Sequence, residues 1–168
     1  MKKILLLSDT HHYIDEKILL YCAEADEIWH AGDIGSAVVA DRISSLKPLK
    51  AVWGNIDDDK MRRRFEETLV FNCEGVKIMI IHIGGTPGKK KKKVKSAIHL
   101  HQPDVFICGH SHILKIQRDP NFPMLYINPG AAGQIGFHQV RTMVRFTIQG
   151  NEIGNMEVIE LGKRGRLS

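Results

Sequence analysis

Seven side chains of metal-binding type, Asp9, His11, Asp33, Asn55, His82, His110 and His112, are scattered over about a hundred positions of this chain. The oxygen donors of Asp9, Asp33 and Asn55, mixed with four imidazoles, suit borderline divalent ions such as Mn²⁺, Fe²⁺ or Zn²⁺ and not Ca²⁺, which takes oxygen ligands. Seven ligands exceed what one tetrahedral ion uses. Two ions about 3.5 to 4 Å apart need a shared ligand, and a carboxylate with two oxygens, such as Asp33, is the natural bridge.

Scattered ligands act together only if the fold gathers them, and the residues before each suggest how. Residues 4–7, 27–30, 50–53, 76–81 and 104–108 are short apolar runs of the kind that form buried parallel strands, and each is followed within a few positions by one or two of the seven. Parallel strands of an open α/β sheet share one carboxyl edge, and ligands bind in the crevice outside it. Ile14, Ile18, Cys22 and Ala25 recur at helical spacing, Ser36 is placed to cap a second helix ending before Pro48, and residues 93–101 predict a third, stopped by Gln102 and Pro103. From residue 113 the texture changes to short pieces, 113–118, 124–127, 142–149 and 156–161, separated by Pro, Asn and Gly, which predicts an antiparallel region. Residues 162–166 are expected to fray.

The 168 residues suit one domain spanning residues 1–168. No apolar run approaches the roughly 20 residues of a membrane span, and no secretory leader is recognisable, so the expectation is a cytoplasmic protein without a membrane partner. Three scattered cysteines, Cys22, Cys73 and Cys108, argue against a disulfide framework. Lys and Arg number 24 against 19 Asp and Glu, a balance of +5 supplied entirely by the five lysines of residues 89–93. Basicity is therefore local, and it lends little support to a nucleic-acid partner. The run itself reads as a solvated loop beside His82, with a rival reading as an electrostatic lure for phosphate.

Asp9-Thr10-His11, Gly32-Asp33, Gly54-Asn55, His82 and Gly109-His110-Ser111-His112, in this order and each closing a strand-like run, resemble the motifs of the calcineurin-like metallophosphoesterases. Order and spacing are most similar to the small YfcE-like phosphodiesterases, and Asn128-Pro129-Gly130 resembles a further motif of that group. The resemblance covers nearly the whole chain. It implies an α/β fold, a four-layer α/β/β/α sandwich with mixed central sheets, in which the antiparallel C-terminal strands build the second sheet. It also implies that Asp9, His11 and His112 hold one ion, that Asn55, His82 and His110 hold another, and that Asp33 bridges them, with Asp33, Asn55 and His110 as the catalytic members. The implied cofactors are two divalent ions, Mn²⁺ first and Fe²⁺, Zn²⁺ or Ni²⁺ as alternatives. The implied reaction is hydrolysis of a small phosphodiester by a metal-bridging hydroxide. A fold-sharing protein-interaction scaffold, as in the retromer subunit, is the rival reading, and a homo-oligomer is left open.

One position departs from the pattern. Many relatives carry a proton-donating histidine directly after the Gly-Asn asparagine, where this chain has Ile56. Asp57 is next to it, but an aspartate ionised at neutral pH donates no proton without a large pKa increase. His30 is expected to be a hydrogen-bonded core residue, His12 a loop residue with a possible substrate contact, and His99, His101 and His138 surface or packing residues.

Overall fold

In the computed structural model, which describes residues 1–165, the apolar runs become strands with their last residues inside. β1 (Lys2–Leu7) begins exposed and ends in four buried side chains, and β2 (Glu27–His30) is buried throughout. Between them α1 (Glu16–Glu24) starts at Asp15, whose carboxylate accepts from the Ile18 amide, and turns Ile18 and Cys22 inward. α2 (Ala37–Ser44) follows Ser36, whose hydroxyl makes no capping bond, and leads into β3 (Leu49–Ala51). β1, β2 and β3 pair in parallel.

The five expected parallel strands do not share one sheet. β5 (Val76–Ile81), β6 (Val105–Ile107) and β8 (Leu125–Asn128) form a second parallel group, flanked by β4 (Thr68–Cys73) antiparallel to β5 and β7 (Lys115–Arg118) antiparallel to β8. Nor do the C-terminal strands build the second sheet alone. β9 (Val140–Gln149) and β10 (Glu152–Lys163) pair antiparallel and extend the first sheet from β1. The sheet orders are β10-β9-β1-β2-β3 and β4-β5-β6-β8-β7.

Three buried clusters separate four layers. Ile18, Cys22, Val39 and Ile43 pack the helices on Leu5 and Leu7 of the first sheet. Ile4, Leu6 and Trp29 meet Ile78, Ile80, Ile107 and Ile127 between the sheets. Met79, Phe106 and Tyr126 meet Val94 and Ile98 of α4 (Lys92–His101) on the outer face of the second. Period-two alternation sends successive residues of β1 to different cores, so truncating Leu6 to Ala would cost about 2 to 5 kcal/mol.

β4 and the short α3 (Asp59–Arg64) are absent from the sequence reading. β4 is a half-buried edge strand, and α3 buries Met61 alone, too little for a helical period to show. The expected frayed end is tied down as far as it is described, with the Gly165 amide donating to Gln134 at 2.6 Å and the Arg164 amide to the Gln139 carbonyl at 2.9 Å; Arg166 lies outside the described residues. No described helix is long and apolar enough to cross a membrane.

Candidate metal centre

The carboxyl ends of β1, β2, β3, β5 and β6 come out at one end of the sandwich, and the loops leaving them gather all seven candidate side chains. Asp9, His11 and His112 bring one ligand atom each within 4.8 Å of one another, and Asp33, His82 and His110 do the same. Asn55 joins the second group, its Oδ1 lying 3.0 Å from His82 Nε2 and 2.9 Å from His110 Nδ1. Five of the seven, Asp9, His11, Asp33, His110 and His112, have positive φ between 45° and 71°. Such backbone is unusual for residues with a Cβ and persists where surrounding structure enforces it, often at functional sites. Gly54 shows how tightly the loops approach, since a Cβ there would lie 2.1 Å from Asp33 Oδ1.

Each carboxylate is divided between support and centre. Asp9 Oδ2 accepts from Ser8 Oγ at 2.6 Å and from the His110 amide at 3.1 Å, while Oδ1 faces His112 Nε2 at 3.1 Å. Asp33 Oδ1 accepts from the Ile56 amide, and Oδ2 lies between the groups, 3.3 Å from His11 Nε2 and 3.1 Å from His82 Nε2. Oδ2 alone therefore lies between the two groups, because the Ile56 amide occupies Oδ1.

The side chains of the centre compete for protons. His82 Nδ1 lies 2.7 Å from the Ala31 carbonyl, which can only accept, so Nδ1 carries a hydrogen; Nε2 faces Asn55 Oδ1 and Asp33 Oδ2, and although burial opposes an imidazolium, the contact with Asp33 raises the His82 pKa, so an ion at Nε2 would displace a proton. Asp9 Oδ1 and His11 Nε2 are buried without a hydrogen-bond partner. Burial disfavours an imidazolium at His11, but its contacts with Asp33 and Asp9 outweigh burial and push its pKa up to about 9. Burial likewise opposes ionisation of Asp9 and Asp33, yet the facing histidines hold both carboxyls well below the usual range. Without an ion, protons on the imidazoles balance the two carboxylates, and the same converging atoms, a mixed carboxylate, amide and imidazole set, fit divalent ions once those protons leave.

The model of the calcineurin-like phosphoesterase superfamily domain matches residues 1–151. The chain belongs to that superfamily. Divalent metal ions are the cofactors that membership implies. A probable metallophosphoesterase of Methanothermobacter thermautotrophicus is 28% identical over 134 residues, covering 75% of this chain and 74% of the relative. Among solved structures, zinc-complexed Vps29 of Entamoeba histolytica superposes with a TM-score of 0.73 at 17% identity, covering 97% of this chain and 99% of that one. An archaeal phosphodiesterase superposes with a TM-score of 0.69 at 22% identity, covering 95% and 99%. At these identities the two structures show a shared fold.

For a metallophosphoesterase, the residues around the centre divide into supports and free charges. Asp57 is a support, since its buried carboxylate accepts from the amides of Ile34 at 3.2 Å, Gly35 at 2.7 Å and Gly54 at 2.8 Å. It joins the Asp33 loop to the Asn55 loop, and an oxygen pair so engaged is no proton donor. His30 is a core histidine, bonded by the Gly32 amide and Thr10 Oγ1, with burial driving its pKa down to about 4. His12 is exposed.

Arg62 escaped the sequence reading because nothing in its spacing marks it. Its guanidinium stacks 4.3 Å over the Trp53 ring, and Nε donates to the Asp57 carbonyl at 2.9 Å. With Trp53, Asn55 and His82 it lines a cleft of about 130 Å³. No described carboxylate lies within ion-pair distance of it, although other arginines have such partners.

The lysine run is not uniformly solvated. Lys90 is buried, its ammonium paired with Asp119 and donating to the Thr86 carbonyl at 3.1 Å, while Lys89, Lys91, Lys92 and Lys93 are exposed. His99 lies exposed on α4 against the edge of Phe122. His138, expected to be a surface or packing residue, lies with Nδ1 3.3 Å from His112 Nδ1.

Proposed function

We propose that residues 1–168 form a single metallophosphoesterase domain that hydrolyses small phosphodiesters with two divalent ions, Mn²⁺ first among them. The observation that carries this reading is the convergence of two groups of ligand atoms, Asp9, His11 and His112, and Asp33, His82 and His110, each within 4.8 Å, with buried Asp9 Oδ1 and His11 Nε2 left without a hydrogen-bond partner. Asp9, His11 and His112 would hold one ion and Asn55, His82 and His110 the other, with Asp33 Oδ2 between. Bound there, two ions supply the charge that deprotonates an attacking water and neutralises the phosphate oxygens.

The chain's own groups then orient the substrate. Arg62 is held flat by Trp53 and by backbone carbonyls, so its remaining N–H groups are preorganised to donate to a non-bridging phosphate oxygen beside Asn55. Likeness to an archaeal phosphodiesterase supports diesters as the substrate class. The rival is a protein-interaction scaffold on the same fold, consistent with the likeness to Vps29.

Metal content of the purified protein and turnover of bis(p-nitrophenyl) phosphate separate the two. Two equivalents of bound Mn²⁺ with metal-dependent turnover are expected. A protein that neither binds divalent ions nor turns over any diester would leave the scaffold reading standing.

A further inference from the structure

Each candidate imidazole must present a lone pair to an ion, which requires its hydrogen on the other nitrogen. For His82 the Ala31 carbonyl enforces this. For His112 the corresponding partner is another histidine. His112 Nε2 faces Asp9 Oδ1 at 3.1 Å, and its Nδ1 lies 3.3 Å from His138 Nδ1, with the rings edge to face at 5.1 Å.

The direction of that contact follows from the far side of His138. His138 Nε2 lies 2.9 Å from the Gly133 carbonyl, which can only accept, so Nε2 carries the hydrogen. No described carboxylate lies within ion-pair distance of His138 to favour an imidazolium. In the neutral ring Nδ1 is therefore a lone pair, and a hydrogen bond between the two Nδ1 atoms requires His112 to donate. Once an ion displaces any proton from Nε2, His112 therefore presents the Nε2 lone pair to the centre while keeping its hydrogen on Nδ1.

The loop is shaped around this contact. Gly136 has φ +135°, and a Cβ on it would lie 2.1 Å from His112 Nδ1 and 3.0 Å from His138 Nδ1. The loop's start is fixed by the Gly133 amide donating to the Asp9 carbonyl at 3.1 Å, and its end by Arg164 Nε donating to the His138 carbonyl at 3.0 Å.

We propose that His138 is a positioning residue for the candidate ion of Asp9, His11 and His112, accepting the His112 Nδ1 hydrogen and so fixing His112 as an Nε2 ligand. The role in metal binding rests on the metallophosphoesterase reading, whereas the hydrogen on His112 Nδ1 follows from the hydrogen-bond chain alone.

Two measurements test it on the full chain. Long-range ¹H–¹⁵N spectra of the ion-free protein are expected to show His138 protonated at Nε2 and His112 at Nδ1. In His138→Ala, His112 is expected to move its hydrogen to Nε2, where Asp9 Oδ1 accepts it. Chelator competition with Zn²⁺ is expected to show one of two sites weakened about 10- to 100-fold in His138→Ala, with partial rescue in His138→Asn, whose carbonyl oxygen can accept from His112. A wild-type His112 without a hydrogen on Nδ1, or a His138→Ala variant that keeps both Zn²⁺ affinities, would overturn the proposal. A wild-type protein that binds no Zn²⁺ yet shows the expected tautomers would sink the metallophosphoesterase reading and leave the His138 contact standing.

Discussion

The backbone amide of Ile56 donates to Asp33 Oδ1 at 3.0 Å, and this leaves Oδ2 alone between the two histidine groups. Asp33→Asn cannot satisfy both sides. An amide with its nitrogen inward sets a donor where a cation belongs, and one with its oxygen inward opposes its N–H₂ to the Ile56 amide. The variant also loses the negative charge. We expect metal affinity to fall at least 10- to 100-fold, measured by chelator competition, whereas His99→Ala should leave it unchanged. Full loading of Asp33→Asn under metal-limited conditions would contradict the assignment.

Proton and ion compete for the same lone pairs, which gives stability a pH signature. The His11 pKa in the fold, about 9, lies above the unfolded value of 6.5. Its contribution to the ion-free protein is thus fully present below about pH 6.5 and is lost as pH rises through about 9. Ion binding needs the neutral imidazole and strengthens over the same range. The Tm of chelator-treated protein should fall between pH 6.5 and 8.5, and the increase in Tm given by saturating Mn²⁺ should widen. His30 works on the other side, for its pKa of about 4 lies below the unfolded 6.5, so both forms should lose stability as pH falls from 6.5 toward 4. A Tm gap independent of pH would refute the competition.

The lysines of residues 89–93 should divide by burial. Lys90 has a side chain 1% exposed against Asp119, whose side chain is 0% exposed, and the Phe106, Phe122 and Tyr126 rings surround its ammonium. Lys90→Met strands a buried carboxylate and should cost about 3 to 5 kcal/mol in urea unfolding, with Asp119→Leu in the same chain restoring part of it. Glutamine at Lys89, Lys91, Lys92 and Lys93 should change stability by less than about 0.5 kcal/mol. If those four attract substrate, kcat/KM of that variant falls chiefly at low salt, since exposed charges are screened within about 8 Å at physiological ionic strength.

What could be read in the sequence followed burial and period. β2 (Glu27–His30) and β5 (Val76–Ile81) match their expected runs end to end, because burial on both faces leaves short hydrophobic stretches, Ile28 with Trp29 and residues 78–81, within them. Partition into two sheets was not legible, since a run such as residues 104–108 carries no mark of which neighbour it pairs with. The seven candidates stood out by residue type and by closing those runs. Arg62, His138 and Asp57 did not, because each matters through what it faces, across 7 residues to the Asn55 carbonyl, 26 to His112 and 23 to the Ile34 amide.

The leaving group is where this site should differ most from relatives that carry a histidine after the Gly-Asn motif. Ile56 is 38% exposed at that position and brings no proton. Asp57 cannot replace it, because the Ile34, Gly35 and Gly54 amides engage both its oxygens. General-acid help is typically worth about 10²- to 10⁴-fold, and it matters more as the departing oxygen becomes more basic. A nitrophenolate leaves without a proton, whereas an alkyl or ribose alkoxide does not leave readily. The wild-type enzyme should therefore cleave aryl diesters much faster than alkyl ones, with a steep dependence of kcat on leaving-group pKa. Ile56→His keeps the backbone amide that supports Asp33, so its metal content should be unchanged. If its imidazole reaches the departing oxygen, the slope should flatten and alkyl diesters should gain most, toward the acid side of neutrality where the imidazolium is populated. A leaving-group series on both proteins, in conditions where chemistry limits the rate, decides the point. A flat wild-type slope would mean that another group, such as exposed His12, already donates the proton.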